Sequence, residues 1–114
     1  MLSKELMAAS TRPLILTILN KGESYGYQII QDIKVLSGGT LQWSDGMIYP
    51  VLNKLRNEEM IESKWVISPE GRKRKYYSIT EKGKQELLQA KNQWMNIHDV
   101  LVRVWGPAPQ WSVS

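Results

Sequence analysis

Residues 68–80 read SPEGRKRKYYSIT, a proline-glycine turn followed by four consecutive cations that run straight into an alternating segment. Pro69 and Gly71 sit where a type I turn uses such residues. Trp65 and Ile67 before the turn, and Tyr77 and Ile79 after it, alternate with polar neighbours in the period of a half-buried strand. The stretch therefore predicts a β-hairpin over residues 62–67 and 74–79, with Tyr77 and Ile79 answering Trp65 and Ile67. Arg72, Lys73, Arg74 and Lys75 then lie at its tip. Such a tetrad is either a solvated loop or a finger that meets an anionic partner, and the flanking segments decide between them.

Three helices are expected upstream. The first carries Leu14, Ile15, Ile18 and Leu19, with Pro13 as a first-turn residue after Ser10 and Thr11, and Lys21-Gly22 closing it. Residues 3–9 are left as a separate turn or arm. The second starts after Ser24 as N-cap, buries Ile29, Ile30, Ile33 and Leu36, and stops at Gly38-Gly39. The third opens at Ser44-Asp45, where a cap and an acid suit the positive end of the helix dipole, and buries Ile48, Val51, Leu52 and Leu55. Pro50 inside it removes a backbone donor, so a bent or tightened first turn is expected.

Downstream, Thr80 and Glu81 start a long helix that extends to about Val104. Leu87, Ala90, Trp94, Ile97, Leu101 and Val104 recur at intervals of three and four, as a seam between two helices requires, and Leu88, Met95 and Val102 form a second row. Three short helices and a hairpin cannot cover ~35 Å of helix that is apolar on two rows, so a second copy of the chain is the expected partner. The fold class is mainly α with a β-hairpin wing. Residues 1–80 form a winged helix-turn-helix, 81–105 a dimerisation helix and 106–114, rich in Pro and small residues, a flexible tail.

Composition bounds the rest. A chain of 114 residues with 42% apolar content supports one domain. It has no run of 18 apolar residues and no secretory pattern at its start, which predicts a soluble, cytoplasmic protein with no membrane partner. Cysteine is absent, so disulfides and thiolate chemistry are excluded. The net charge of +4 is focused rather than spread: residues 1–36 carry four basic and three acidic groups, residues 81–114 the same numbers, and the tetrad lies between them. Five Trp and five Tyr with no Phe favour contact surfaces over sealed cores. The only histidine, His98, has Asp99 beside it on a helix, and neighbours there do not face each other. With no phosphate loop, metal-ligand spacing or nucleophile elbow, no enzyme, metal or cofactor is expected.

A helix pair joined by a Gly-containing turn and followed by a basic hairpin is a helix-turn-helix with a wing. In that geometry the helix from Ser44 enters the major groove of double-stranded DNA and presents Asp45, Gly46, Met47, Tyr49, Asn53, Lys54 and Arg56. The hairpin tip follows the duplex, where Arg72 to Lys75 meet phosphates or the minor groove. The competing reading is a winged-helix module that binds a protein and never reads DNA; a basic wing favours the first and an acidic one would favour the second.

Four blocks of sequence carry a family resemblance. Tyr25-Gly-Tyr-Gln-Ile29, Ser44 to Leu55, Met60-Ile61, and Gly71 to Thr80 followed by Glu81-Lys82-Gly83 stand in order and register over about residues 10–84, and together they resemble PadR-type transcriptional regulators. Pro50 is similar to a proline common in that family's recognition helix. The resemblance implies a dimeric repressor in which Tyr25 and Tyr27 lie near the DNA backbone, residues 44–54 read bases, and the basic wing straddles the groove. With one C-terminal helix the chain is similar to the small subfamily, where a Trp matching Trp94 flanks a slot for aromatic or hydrophobic compounds at the dimer centre. Ligand slot and plain dimer packing both remain open for Trp94. Asp45 departs from the Pro or Glu usual at its position.

Overall fold

The computed structural model describes residues 2–106. The wing turn forms as its sequence dictates: the Gly71 N–H donates to the Ser68 carbonyl at 2.9 Å, and the Ser68 N–H donates to the Arg72 carbonyl at 2.7 Å. Gly71 adopts a φ of 82°, which a side chain would oppose. Strands β2 (Ile61–Ile67) and β3 (Lys73–Ile79) pair antiparallel on either side of it. Ile67 faces Lys73 across the turn, which sets Trp65 opposite Lys75, Ser63 opposite Tyr77 and Ile61 opposite Ile79. The expected pairing of Trp65 and Ile67 with Tyr77 and Ile79 is thereby corrected. The core partner of Ile79 is Ile61, one residue before the predicted strand, and Trp65 and Ile67 project beyond the core, 65% and 68% exposed.

A third strand joins them. Strand β1 is only Ser24–Tyr25, pairs with Tyr77 and Tyr76, and makes the sheet order β1-β3-β2. Ser24 therefore does not cap the second helix as expected; helix α2 (Gly26–Leu36) begins from Tyr25, whose side chain makes no capping bond. Ile29 and Ile33 reach the core, Ile30 is half-buried, and Leu36 at the last turn is exposed.

Helix α1 runs Lys4–Lys21 without a break, so the expected separate arm over residues 3–9 is also corrected. Ser3 caps it, accepting from the Leu6 N–H at 3.2 Å. Ser10 and Thr11 do not start a helix at Pro13; their hydroxyls donate to the Met7 carbonyl at 3.0 and 2.7 Å, inside one that is already running. Helix α3 (Asp45–Asn57) accommodates Pro50 within its length, and Ser44 precedes it as N-cap without a side-chain bond.

Helix α4 (Glu81–Trp105) starts where predicted, with the Thr80 hydroxyl accepting from the Gly83 N–H at 3.1 Å. One core collects Ile15, Leu16 and Leu19 from α1, Ile29 and Ile33 from α2, Ile48, Leu52 and Leu55 from α3, Ile61 and Tyr77 from the sheet, and Leu87 from α4. At roughly 1.5–3 kcal/mol for each large buried side chain, this core holds the helix pair and the wing in one fixed relation. No helix among the described residues is long and apolar enough to cross a membrane. The proposed tail from Pro107 onward lies outside the described residues, while Gly106 closes α4, its N–H donating to the Val102 carbonyl.

Candidate nucleic-acid interface

Because β1 is two residues long, it covers β3 only at Tyr76 and Tyr77 and leaves the Lys73 to Lys75 half of that strand without a neighbour on that side. A concavity of about 460 Å³ lies there, lined by Tyr25, Tyr27, Tyr49, Trp65 and the whole tetrad Arg72 to Lys75. Its walls come from the start of α2, the middle of α3 and both wing strands. Residues far apart in sequence thus share one aromatic and cationic surface.

The tetrad is not uniform. Arg72 and Lys73 are exposed, whereas Arg74 and Lys75 are partly buried. The Arg74 guanidinium lies 4.6 Å from the centroid of the Tyr25 ring, and that ring sits 5.2 Å from the Tyr76 ring in a tilted pair. The Lys75 ammonium lies 5.9 Å from the ring centroids of Trp65 and of Tyr77. Glu70 adds one anion at the turn, its carboxyl held below the usual range by hydrogen bonds from its own backbone N–H and from Ser68. Burial pushes the Tyr77 phenol above its ordinary value, with Tyr49 adding to the shift and Arg56 opposing it, so Tyr77 remains a neutral core residue.

Along α3, Asp45, Gly46, Tyr49, Asn53 and Lys54 are exposed, as is Ser44 ahead of them, and Arg56 is partly so. Met47 is not fully outward as expected; it is half-buried and packs against the core. Tyr49 leans back over α2, its hydroxyl above the Cα of Gly26, so it joins the two helices. The concavity brings Tyr25, Tyr27, Tyr49 and the tetrad together, while Ser44, Met47, Asn53 and Lys54 lie outside its lining. Sequence reasoning missed Trp65 and Tyr76. The Trp and Tyr excess was the signal available, but the hairpin register that exposes one and stacks the other was not.

On α4, Leu87 is 3% exposed and packs into the chain's own core rather than onto a free seam. Ala90 is half-buried and Leu101 is partly covered, whereas Ile97 and Val104 are exposed together with Leu88, Met95 and Val100. On the predicted seam the open stripe therefore begins at Trp94, about two turns after Leu87, whereas Leu88 of the second row is already exposed. Trp94, 41% exposed, borders an apolar groove of about 300 Å³ against Pro13 and Leu14 of α1. His98 and Asp99 are exposed, with Nδ1 and Oδ1 3.7 Å apart, closer than the sequence reading allowed.

Arg12 ties the elements together. From α1 it donates to both carboxylate oxygens of Glu86 on α4, at 2.5 and 2.6 Å, and to Glu58 at the end of α3, at 2.6 Å. The hydrogen bond to Glu86 chiefly raises the guanidinium pKa further, against its partial burial, and the same cation holds the Glu58 carboxyl below its ordinary value.

A helix pair, a third helix with an exposed polar face and a cationic two-stranded wing define a winged helix-turn-helix of the DNA-binding, transcription-regulating class. The chain belongs to the transcriptional regulator PadR-like family, whose pattern matches residues 15–89. It is 36% identical over 89 residues to the negative transcriptional regulator PadR of Bacillus subtilis, covering 78% of this chain and 43% of that one. Identity to the transcriptional regulator YqjI of Escherichia coli is 35% over 82 residues, covering 72% of this chain and 38% of that one. The chain thus spans less than half the length of these two regulators. Among solved structures, a PadR-like transcriptional regulator from Bacillus cereus superposes with a TM-score of 0.79 at 28% identity, covering 92% of this chain and all of the other.

Proposed function

We propose that this protein is a cytoplasmic, dimeric repressor that reads a specific DNA operator with α3 and grips the flanking backbone with its wing. The observation that carries this reading is the shared concavity, in which the tetrad, the start of α2 and the middle of α3 line one surface. Arg72 and Lys73 supply sequence-independent attraction to phosphates, and Asn53 and Lys54 on the exposed face of α3 supply contacts to base edges. The B. subtilis relative carries the name of a negative regulator, which favours repression over activation.

The dimer reading is supported by the stripe on α4, where Ile97, Val100 and Val104 stay exposed and nothing else among the described residues covers them. Two such helices packed side by side set the spacing of two recognition helices and so the spacing of operator half-sites. The groove beside Trp94 has the apolar lining that suits a planar hydrophobic effector.

The test is an electrophoretic shift with the DNA flanking the protein's own coding region, read against an unrelated duplex of equal length. Preferential retardation of the flanking DNA supports the reading; equal affinity for both at physiological salt would leave only non-specific binding and sink it.

A further inference from the structure

The four wing cations differ in how they are held, and one of them is built into the helix-turn-helix. Tyr25 pairs with Tyr76 across β1 and β3, and Arg74 stands two residues before Tyr76 on the same face of the sheet. That spacing lays the guanidinium over the Tyr25 ring, 4.6 Å from its centroid, and the Tyr76 ring is 5.2 Å from the Tyr25 ring in a tilted pair. Tyr25 is also the N-cap residue of α2, so the platform beneath Arg74 is the residue from which the helix pair starts.

From this geometry we infer that Tyr25 is a positioning residue for DNA binding. It acts through Arg74, fixing one wing cation at a set distance from the recognition helix, and makes no essential contact with DNA of its own. The inference rests on the DNA-binding reading of the wing. A guanidinium stacked on an aromatic face loses much of its freedom while its N–H groups stay free to fork onto a phosphate. Arg72 and Lys73 are exposed and have no such platform, so they attract the duplex without fixing its register. Lys75 lies over Trp65 and Tyr77 at the longer distance of 5.9 Å, and a compact ammonium has no plane to stack.

The test is a double-mutant cycle on Tyr25 and Arg74, using the full chain and a fluorescein-labelled duplex of mixed sequence, with anisotropy followed across a salt series. Arg74→Ala should reduce the slope of log affinity against log salt by about one unit. Tyr25→Leu should weaken binding about two- to fivefold, the range of an exposed cation–π contact. In the Arg74→Ala background the same Leu should cost nothing further, and Tyr25→Phe, which keeps the ring, should bind as the native protein does. Thermal unfolding of each variant separates these effects from loss of fold. If Tyr25→Leu does not fold, Arg74→Lys addresses the same stack with Tyr25 intact, and it should weaken binding although the charge is kept.

A Tyr25→Leu loss that adds in full to Arg74→Ala means that Tyr25 meets DNA directly, which overturns the inference. Native binding by Tyr25→Leu, or native affinity in Arg74→Lys, overturns it as well. A slope unchanged in Arg74→Ala removes Arg74 from the phosphates while leaving the rest of the interface standing. No binding at all by the native protein would instead remove the DNA-binding reading beneath it.

Discussion

Gly83 should be the costliest glycine to replace, because its neighbour is backbone. A Cβ there would run into the Met60 carbonyl oxygen and come within 2.8 Å of Ile79 Cγ1. That carbonyl is held in place, since it accepts from the Thr80 N–H at 3.0 Å, and the Thr80 hydroxyl is shared between it at 3.0 Å and the Glu59 carbonyl at 2.7 Å. The first turn of α4 must retreat instead, and with it goes the cap in which Thr80 accepts from the Gly83 N–H. Loss of a Thr cap costs about 1 kcal/mol. The overpacking adds about 1–3 kcal/mol and the helical preference of Ala over Gly returns about 0.5–1 kcal/mol, so Gly83→Ala should destabilise by about 1–3.5 kcal/mol in all.

For a domain of this size that lowers the melting temperature by about 4–28 °C, which circular dichroism on heating measures directly. Gly26→Ala is the control. Its Cβ would fall 2.5 Å from the Tyr49 hydroxyl, but the obstacle there is the tip of a partly exposed side chain. Displacing Tyr49 costs about 0.5–1.5 kcal/mol. Ala for Gly at a helical position returns about 0.5–1 kcal/mol, so the net change in stability should stay within ~1 kcal/mol. A Gly83→Ala protein melting within about 3 °C of native, or a Gly26→Ala protein falling as far as it, would refute this account of the junction between α4 and the wing.

The other expectations concern binding, assembly and acid. Arg72→Ala with Lys73→Ala should flatten the salt slope by about 1.8 units, so that raising salt fourfold costs the variant about 12-fold less affinity than the native protein; an unchanged slope returns the pair to a solvated loop. Asn53→Ala should weaken a specific operator by ~1–3 kcal/mol and spare random DNA, and equal losses on both would confine Asn53 to the backbone. Ile97→Glu with Leu101→Glu should yield monomers by sedimentation, whereas a native chain that is itself monomeric at micromolar concentration contradicts the α4 interface. Because Arg12 holds the Glu58 carboxyl below its usual range, the unfolded chain takes up that proton first. The stabilisation is present above the ordinary glutamate pKa and is lost as the pH falls through the lower folded value, and Arg12→Ala should flatten that part of the stability profile measured by urea unfolding.

What could be read from the sequence was what local rules determine. The Pro69-Gly71 turn, the buried stripes of α2 and α3 and the Thr80 cap each depend on residues within a few positions of one another. Strand β1 was illegible because two residues have no strand signal of their own; Ser24 and Tyr25 extend only because Tyr76 and Tyr77 lie beside them. Pro13 misled for a related reason. A proline reads locally as a helix start, but in α1 the Ser3 cap and the burial of Ile15, Leu16 and Leu19 carry the helix across it. The exposure of Trp65 depended on a register set by the turn, and the concavity depended on the shortness of β1. The composition of the site was visible before its shape was.

The same contacts bear on how an effector would act. Arg12 joins the end of α3 to α4 through Glu58 and Glu86, and Arg12, Glu86 and Trp94 border one depression on the surface. The apolar groove on the other side of Trp94 is walled by α1 and α4, the two helices that Arg12 and Glu86 pin together. In the dimer proposed above, the angle between α4 and α3 sets the distance between the two recognition helices. A compound wedged beside Trp94 would therefore act on that angle, and it would release DNA only if it bound the altered spacing better than the competent one, since equal affinity for both shifts nothing. Breaking the fork by Arg12→Ala should accordingly weaken the coupling between ligand and DNA more than ligand binding itself, since Pro13, Leu14, Leu87 and Trp94, which line the groove, are unchanged. Tryptophan fluorescence titrations of native and Arg12→Ala protein, with and without DNA, separate the two effects, and coupling that is unchanged in the variant would place the connection elsewhere.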